Sequence, residues 1–216
     1  MSKLASAISS LEKLISHLES VTGQPAVPVQ AQPKQQKTAP KKEAVELPAL
    51  VQSFAKCELR VTQVKTCAPV PNSDKLLLMT LDIGKNQTRT FAAGVAQYYK
   101  PEELINKKIV TILNLKPRPM CEGTIVSEAM LFAGSYGEEA NRVVKLCFPD
   151  QSVENGTRVT VENYELPEAD GQPKKHFDKV AEELKALDNC MALNGQFLMA
   201  GGKKIAVDVP NGSHLG

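Results

Sequence analysis

One stretch, residues 107–133 (KKIVTILNLKPRPMCEGTIVSEAMLFA), constrains this chain more than any other. Two apolar runs, 109–115 and 129–133, flank Lys116, Pro117, Arg118, Pro119, Met120 and Gly123, a pattern that reads as two strands joined by a stiff, partly basic connection. The runs are apolar at both alternating positions. A strand with one face in water should alternate, so these strands must be covered on both sides. Pro117 and Pro119 fix φ and disfavour helix around Lys116 and Arg118, so two cations are held out with less freedom to lose on meeting a polyanion. A surface loop with ordinary solvated charges accounts for the string equally well.

The same punctuated pattern extends either side. Phe54, Leu59, Val61 and Val64 are expected in or near a first strand, and a turn with two prolines follows at 68–74. Residues 76–83 read as a second strand, Gly84-Lys-Asn-Gln as a tight reversal and 88–93 as a third strand ending at Gly94. Pro101 with Glu102 and Glu103 suits the start of a short helix. Further strands are expected at 143–148 and 159–161. After Tyr164, the string Lys174-Lys-His-Phe177 leads into Val180, Leu184 and Leu187, whose spacing predicts an amphipathic helix, followed by apolar strands near 190–193, 197–199 and 205–209.

The N-terminal part is different in kind. Leu4, Ile8, Leu11, Leu14, Ile15 and Leu18 recur at helical spacing between polar residues, which predicts an amphipathic interaction helix over 1–21. Such a stripe must be buried against the body, a second copy or a partner helix. Residues 22–46 are rich in Pro, Gln, Ala and Lys and are expected to form a disordered linker.

Composition removes several function classes. The five cysteines are odd in number, widely spaced and contain no Cys-x-x-Cys pair, so neither a disulfide framework nor a zinc site is indicated. Reduced thiols in a cytoplasmic protein are the expectation, because no apolar run approaches the roughly 20 residues of a membrane span. A net charge of +2 is too mild to announce nucleic-acid binding, so any basic patch must come from local clustering. His17, His176 and His214 fall in no nucleophile or metal spacing, and no phosphate-binding, dinucleotide or His-Glu-x-x-His motif occurs. Glu102 with Glu103 and Glu138 with Glu139 are adjacent and point apart, as solvated pairs do. Catalytic residues, metals and cofactors are therefore not expected. Tyr98 and Tyr99 read either as base-stacking rings or as core.

Four motifs fall in order at suitable spacing: Pro71-Asn-Ser-Asp-Lys75-Leu, Arg89-Thr-Phe-Ala-Ala-Gly94, Tyr98-Tyr-Lys-Pro-Glu-Glu-Leu104, and Asn114-Leu-Lys-Pro-Arg-Pro-Met120 with Ser127-Glu-Ala-Met130. Together they resemble the tRNA-binding domain family built on the oligonucleotide/oligosaccharide-binding (OB) fold, specifically its endothelial monocyte-activating polypeptide II-like subgroup. The resemblance implies a mainly β chain with a five-stranded OB-fold barrel over 47–163 and a small α+β C-terminal module over 164–216 packed on it, which would keep the body monomeric. It further implies a non-catalytic protein that delivers or retains tRNA for an aminoacyl-tRNA synthetase or a multisynthetase complex. Carried onto this sequence, the RNA-contacting residues would be Lys75, Arg89, Lys116 and Arg118, with polar help from Asn114 and Ser127. Recognition would be mainly of phosphate and shape. The stripe Leu4, Ile8, Leu11, Ile15 and Leu18 would bind the synthetase. One departure stands out: Glu122 occupies the link after the basic loop where the family usually places a basic residue. A processed extracellular ligand and a general single-strand-binding OB protein are the alternative readings.

Overall fold

The computed structural model describes residues 47–173 and 175–216; the helix expected over 1–21 and the linker over 22–46 lie outside the described residues. Residues 46–216 make one compact unit.

The chain is mainly β, as expected, and its organising element is β1 (Leu59–Pro69). The first half of β1 pairs antiparallel with β4 (Lys108–Ile112), from Leu59↔Ile112 to Gln63↔Lys108. Its second half pairs with β2 (Leu77–Asp82), and the register shifts between Val64 and Thr66. That bulge lets one long strand serve two neighbours while the sheet curls. With β3 (Thr88–Ala93) beyond β2 and β7 (Met130–Leu131) beyond β4, the order is β3-β2-β1-β4-β7. The result is a curled antiparallel half-barrel consistent with an OB-like fold. The short helix α2 (Pro101–Leu104) sits where Pro101 and the two glutamates predicted it, with Glu103 Oε2 accepting the Lys100 N–H at 2.7 Å.

Two cores lie on the two sides of this sheet. Val64, Leu77, Met79, Leu81, Phe91 and Ile109 fill the inside of the curl. Leu59, Val61, Val110 and Ile112 point the other way, into a second core shared with Val180, Leu184, Met191, Leu198, Val207 and Leu215. This is the cover that the two-faced apolar run of β4 demanded. Inside the curl, Thr62 and Thr111 are fully buried and satisfy each other, hydroxyl to hydroxyl at 3.1 Å.

The reversal at Gly84 has a tertiary reason. Gly84 and Gly156 both have positive φ and face each other so closely that a Cβ on Gly84 would lie 2.5 Å from the Asn155 carbonyl oxygen. The pairing pins the β2–β3 turn to the segment that leads into β10 (Val159–Val161).

Several local expectations change. Phe54 is helical: α1 (Ala49–Ala55) starts after Pro48 and buries Val51 and Phe54, whose three-residue spacing is that of one helical face. The connection between the apolar runs is not a loop but a two-stranded ribbon, β5 (Arg118–Met120) with β6 (Ile125–Ser127). The helix expected through Leu187 stops at Glu183 (α3, Lys175–Glu183), and Leu184–Leu187 is strand β11, with Leu184 and Ala186 buried in alternation. Turn chemistry decides this. Asp188 and Asn189 both take positive φ and close a two-residue hairpin onto β12 (Cys190–Leu193), which fixes the preceding residues as a strand. Asn194-Gly195 repeats the device into β13 (Gln196–Ala200), and Gly201-Gly202 into β14 (Lys203–Lys204). Residues 205–209 form no regular strand; they run as an irregular segment bridged at Ala206 to Phe148 and Cys190. Finally, β10 falls on the barrel side of the boundary expected at 163/164 and yet pairs with β13.

Candidate nucleic-acid interface

The β5–β6 ribbon is built by its local sequence. Pro119 donates no backbone hydrogen bond and is confined to edges and bulges of sheets, which a two-stranded ribbon supplies. The turn at its tip runs through Cys121, Glu122 and Gly123, all at positive φ, and is closed by Gly123 N–H to the Met120 carbonyl and Thr124 N–H to the Cys121 carbonyl, each at 3.1 Å. Glu122 is therefore at the exposed tip, separated from Arg118 by the length of β5. The pairs Arg118↔Ser127 and Met120↔Ile125 share one face of the ribbon; Pro119↔Val126 occupies the other, with Val126 half exposed.

The first face closes over a groove of about 590 Å³ between the ribbon, the end of β3 and the start of α3. Lys116, Arg118 and Ser127 line it together. Lys75 and Arg89 lie outside the groove at opposite ends of β3. The Lys75 backbone carbonyl accepts the Ala96 N–H just past the Ala93 end, whereas Arg89 pairs in register with Leu81 near the β2–β3 turn. All four cations are exposed, and none forms an ion pair among the described residues. Their charge is directed at solvent.

Asn114 is engaged elsewhere. Its Oδ1 accepts the Glu58 N–H at 2.9 Å and its Nδ2 donates to the carbonyls of Lys56 at 2.9 Å and Gly171 at 2.8 Å. The amide thereby ties the end of α1, the start of β1 and the segment before α3. Ser127 is buried and equally committed, donating to the Ala129 carbonyl at 3.1 Å and accepting the Ala92 N–H at 3.4 Å. With Glu128, which exchanges a backbone bond of 3.0 Å to the Thr90 carbonyl and a carboxylate bond of 3.2 Å from the Thr90 N–H, it joins β3 to the segment between β6 and β7. Tyr99 is core, its hydroxyl accepting the Leu146 N–H at 3.0 Å.

Among the groove residues that the sequence did not point to are Glu128, Phe177 and Asp178. Glu128 sits inside a recognised motif, where it passed as a spacer. Phe177 and Asp178 reach the groove only because α3 docks beside it, Phe177 standing edge-on to Phe132 with ring centres 6.3 Å apart. No local signal announces that.

All five cysteines are free. Burial pushes the Cys57 thiol up to about 12, against the opposing pull of Arg158, and Cys67 up to about 11; Cys147 is raised further by burial alone. These thiols stay protonated at neutral pH and are poor nucleophiles. Among the described residues no cluster of His, Cys, Asp and Glu is placed to hold a metal ion, and no helix is long and apolar enough to cross a membrane.

Residues 59–158 match the family model described as "Putative tRNA binding domain". The methionine–tRNA ligase of Methanosarcina mazei is 38% identical over 124 residues, 56% of this chain and 17% of the ligase. A MetRS-related protein from Pyrococcus horikoshii is 33% identical, the match covering 52% of this chain and 97% of that one with a TM-score of 0.44. The C-terminal domain of Plasmodium vivax p43 has the same fold, with a TM-score of 0.67 at 20% identity, covering 76% of this chain and 98% of that domain. The chain spans only about a sixth of the length of the ligases it matches. What it shares with them is the segment 59–158, which contains the ribbon and its cations, and that segment belongs to the tRNA-binding domain family.

Proposed function

We propose that this chain is a non-catalytic, cytoplasmic tRNA-binding protein that retains tRNA for an aminoacyl-tRNA synthetase or multisynthetase assembly. The observation that carries the reading is the set of exposed cations that form no ion pair among the described residues, Lys116 and Arg118 at the ribbon with Lys75 and Arg89 at the ends of β3. Exposed cations with no carboxylate to neutralise them are available to phosphates, and releasing RNA counterions supplies the affinity. Asn114 and Ser127 act indirectly, by holding the backbone that presents these side chains. The outer face of the half-barrel is covered by the chain's own C-terminal residues, which supports a monomeric body.

Attachment to a synthetase falls to the stripe Leu4, Ile8, Leu11, Ile15 and Leu18, and the linker between lets both ends work at once. The test is Leu11→Asp with Leu18→Asp in the full chain, followed by co-purification with synthetases and by tRNA binding. Association should be lost and tRNA affinity should stay within about twofold, since the lesion lies outside 59–158. A variant that still co-purifies, or one that loses tRNA binding while folded, ends this division of labour. Competition between folded tRNA and unstructured RNA of equal length separates the reading from general single-strand binding.

A further inference from the structure

The groove under the ribbon is lined with both signs of charge. Lys116 and Arg118 stand on its rim, Met120, Met130 and Ala92 give it an apolar floor, and two carboxylates, Glu128 and Asp178, also line it. A phosphodiester track laid along that floor would meet the half-buried Glu128 carboxylate, a like-charge contact that costs more beside protein than in open water, whereas Asp178 is exposed as the two cations are. Phosphates therefore belong on the rim, and the floor is left to the uncharged part of a nucleotide. A volume of about 590 Å³ is in the range that holds a small ligand.

Glu128 gives this floor its chemistry. Thr90 donates its N–H to Oε2 at 3.2 Å and receives the Glu128 N–H at 3.0 Å, so the carboxylate is anchored while each of its oxygens keeps a lone pair for a further donor. The neighbouring Ser127 hydroxyl is already committed at both ends. A base seated here must offer N–H groups to an acceptor. Adenine and cytosine set a ring-nitrogen acceptor beside their amino group, and uracil flanks its single N–H with two carbonyls. Guanine alone presents two adjacent donors, N1–H and N2–H, with no acceptor between them.

We propose that the groove seats one unstacked guanine nucleotide of the bound RNA. The base lies on the methionine floor with its N1–H and N2–H edge toward Glu128, and its phosphate rests against Lys116 and Arg118. This rests on the reading of the chain as an RNA-binding protein, and makes Glu128 a specificity-determining residue of that interface.

The probe is guanosine 5′-monophosphate, with inosine 5′-monophosphate and ribose 5-phosphate as controls, titrated into full-length protein carrying ¹³C-methyl methionine. Transfer-RNA binding is measured on the same preparation. The Met120 and Met130 methyl signals should shift saturably with the guanine nucleotide, about tenfold more tightly than with the inosine nucleotide, which lacks N2–H. Met79 and Met191, fully buried in the two cores, should not move. Glu128→Gln keeps an oxygen for the Thr90 N–H while removing the anionic acceptor, and should bring the guanine-to-inosine preference close to one. Equal shifts with ribose 5-phosphate, no shift with the guanine nucleotide while tRNA binds, or an unchanged preference in Glu128→Gln would overturn the base site and leave the RNA reading standing. A preparation that bound neither tRNA nor nucleotide would overturn both.

Discussion

Arg118 and Arg158 carry the same guanidinium into opposite surroundings. Arg158 is 11% exposed and donates to the Ala55 carbonyl at 2.8 Å and to the Pro167 carbonyl, with Glu168 3.9 Å away and Arg60 paired beside it to Glu58 at 2.8 Å. Arg118 is exposed on a proline-flanked ribbon and forms no ion pair among the described residues. The first is consumed by the protein and ties α1 to the segment beyond β10. The second is kept for something else. Cation type and local charge do not separate scaffold from interface here; what separates them is whether the fold provides a partner.

The largest test of the scaffold side is removal of residues 164–216. Leu59, Val61, Val110 and Ile112 would lose their cover and β10 its strand partner β13, exposing a contiguous apolar face. The remaining chain should dimerise, aggregate or fail to unfold cooperatively, and sedimentation velocity would show it. A well-behaved monomer would mean that the outer core is dispensable.

Arg158→Met is the sharper cut. It strips two carbonyls of their donor in a part-buried seam and should cost about 2–4 kcal/mol in denaturant unfolding. Transfer-RNA affinity, measured where the variant is folded, should change little. An equal loss in binding would erase the distinction between the two arginines.

How far these regions were legible in the sequence differs for a physical reason. The β2 strand alternates without a break and was readable as it stands. The segment 184–187 satisfied two periods at once, since Val180, Leu184 and Leu187 fit a helix while Leu184 and Ala186 fit a strand. Asp188-Asn189 is the tie-breaker, because a two-residue turn at positive φ demands a strand on each side. Lys116, Arg118 and Ser127 were readable as a group because Arg118 and Ser127 pair across one hairpin and Lys116 lies two residues before it. The commitment of Asn114 to Lys56, Glu58 and Gly171 was not, because all three partners are more than 55 residues away in sequence. For the same reason Phe177 and Asp178 could not be placed in the groove before the docking of α3 was known.

A smaller effect belongs to the scaffold and should be absent from the interface. The Gly84 N–H, with help from Asn155 and Lys65, holds the Asp82 carboxyl below the usual range despite some opposing desolvation. Its stabilisation is fully present above the ordinary carboxylate pKa of about 3.9 and is lost as pH falls through the lowered folded value. Asp82→Asn should flatten the acid limb of a stability-against-pH curve slightly and leave the neutral region nearly level. An unchanged acid limb would show that the turn draws nothing from this charge.

The most direct measurement of the central claim is the salt dependence of tRNA binding by Lys116→Ala with Arg118→Ala. Because neither side chain has an ion-pair partner among the described residues, unfolding free energy should stay within about 0.5 kcal/mol of the parent. Affinity should fall for every tRNA alike, and the plot of log affinity against log salt should flatten by about 1.5 units for two lost phosphate contacts. A folded double variant with the parent's affinity and slope would contradict the account, for then the unpartnered cations of the ribbon would not be what holds the RNA.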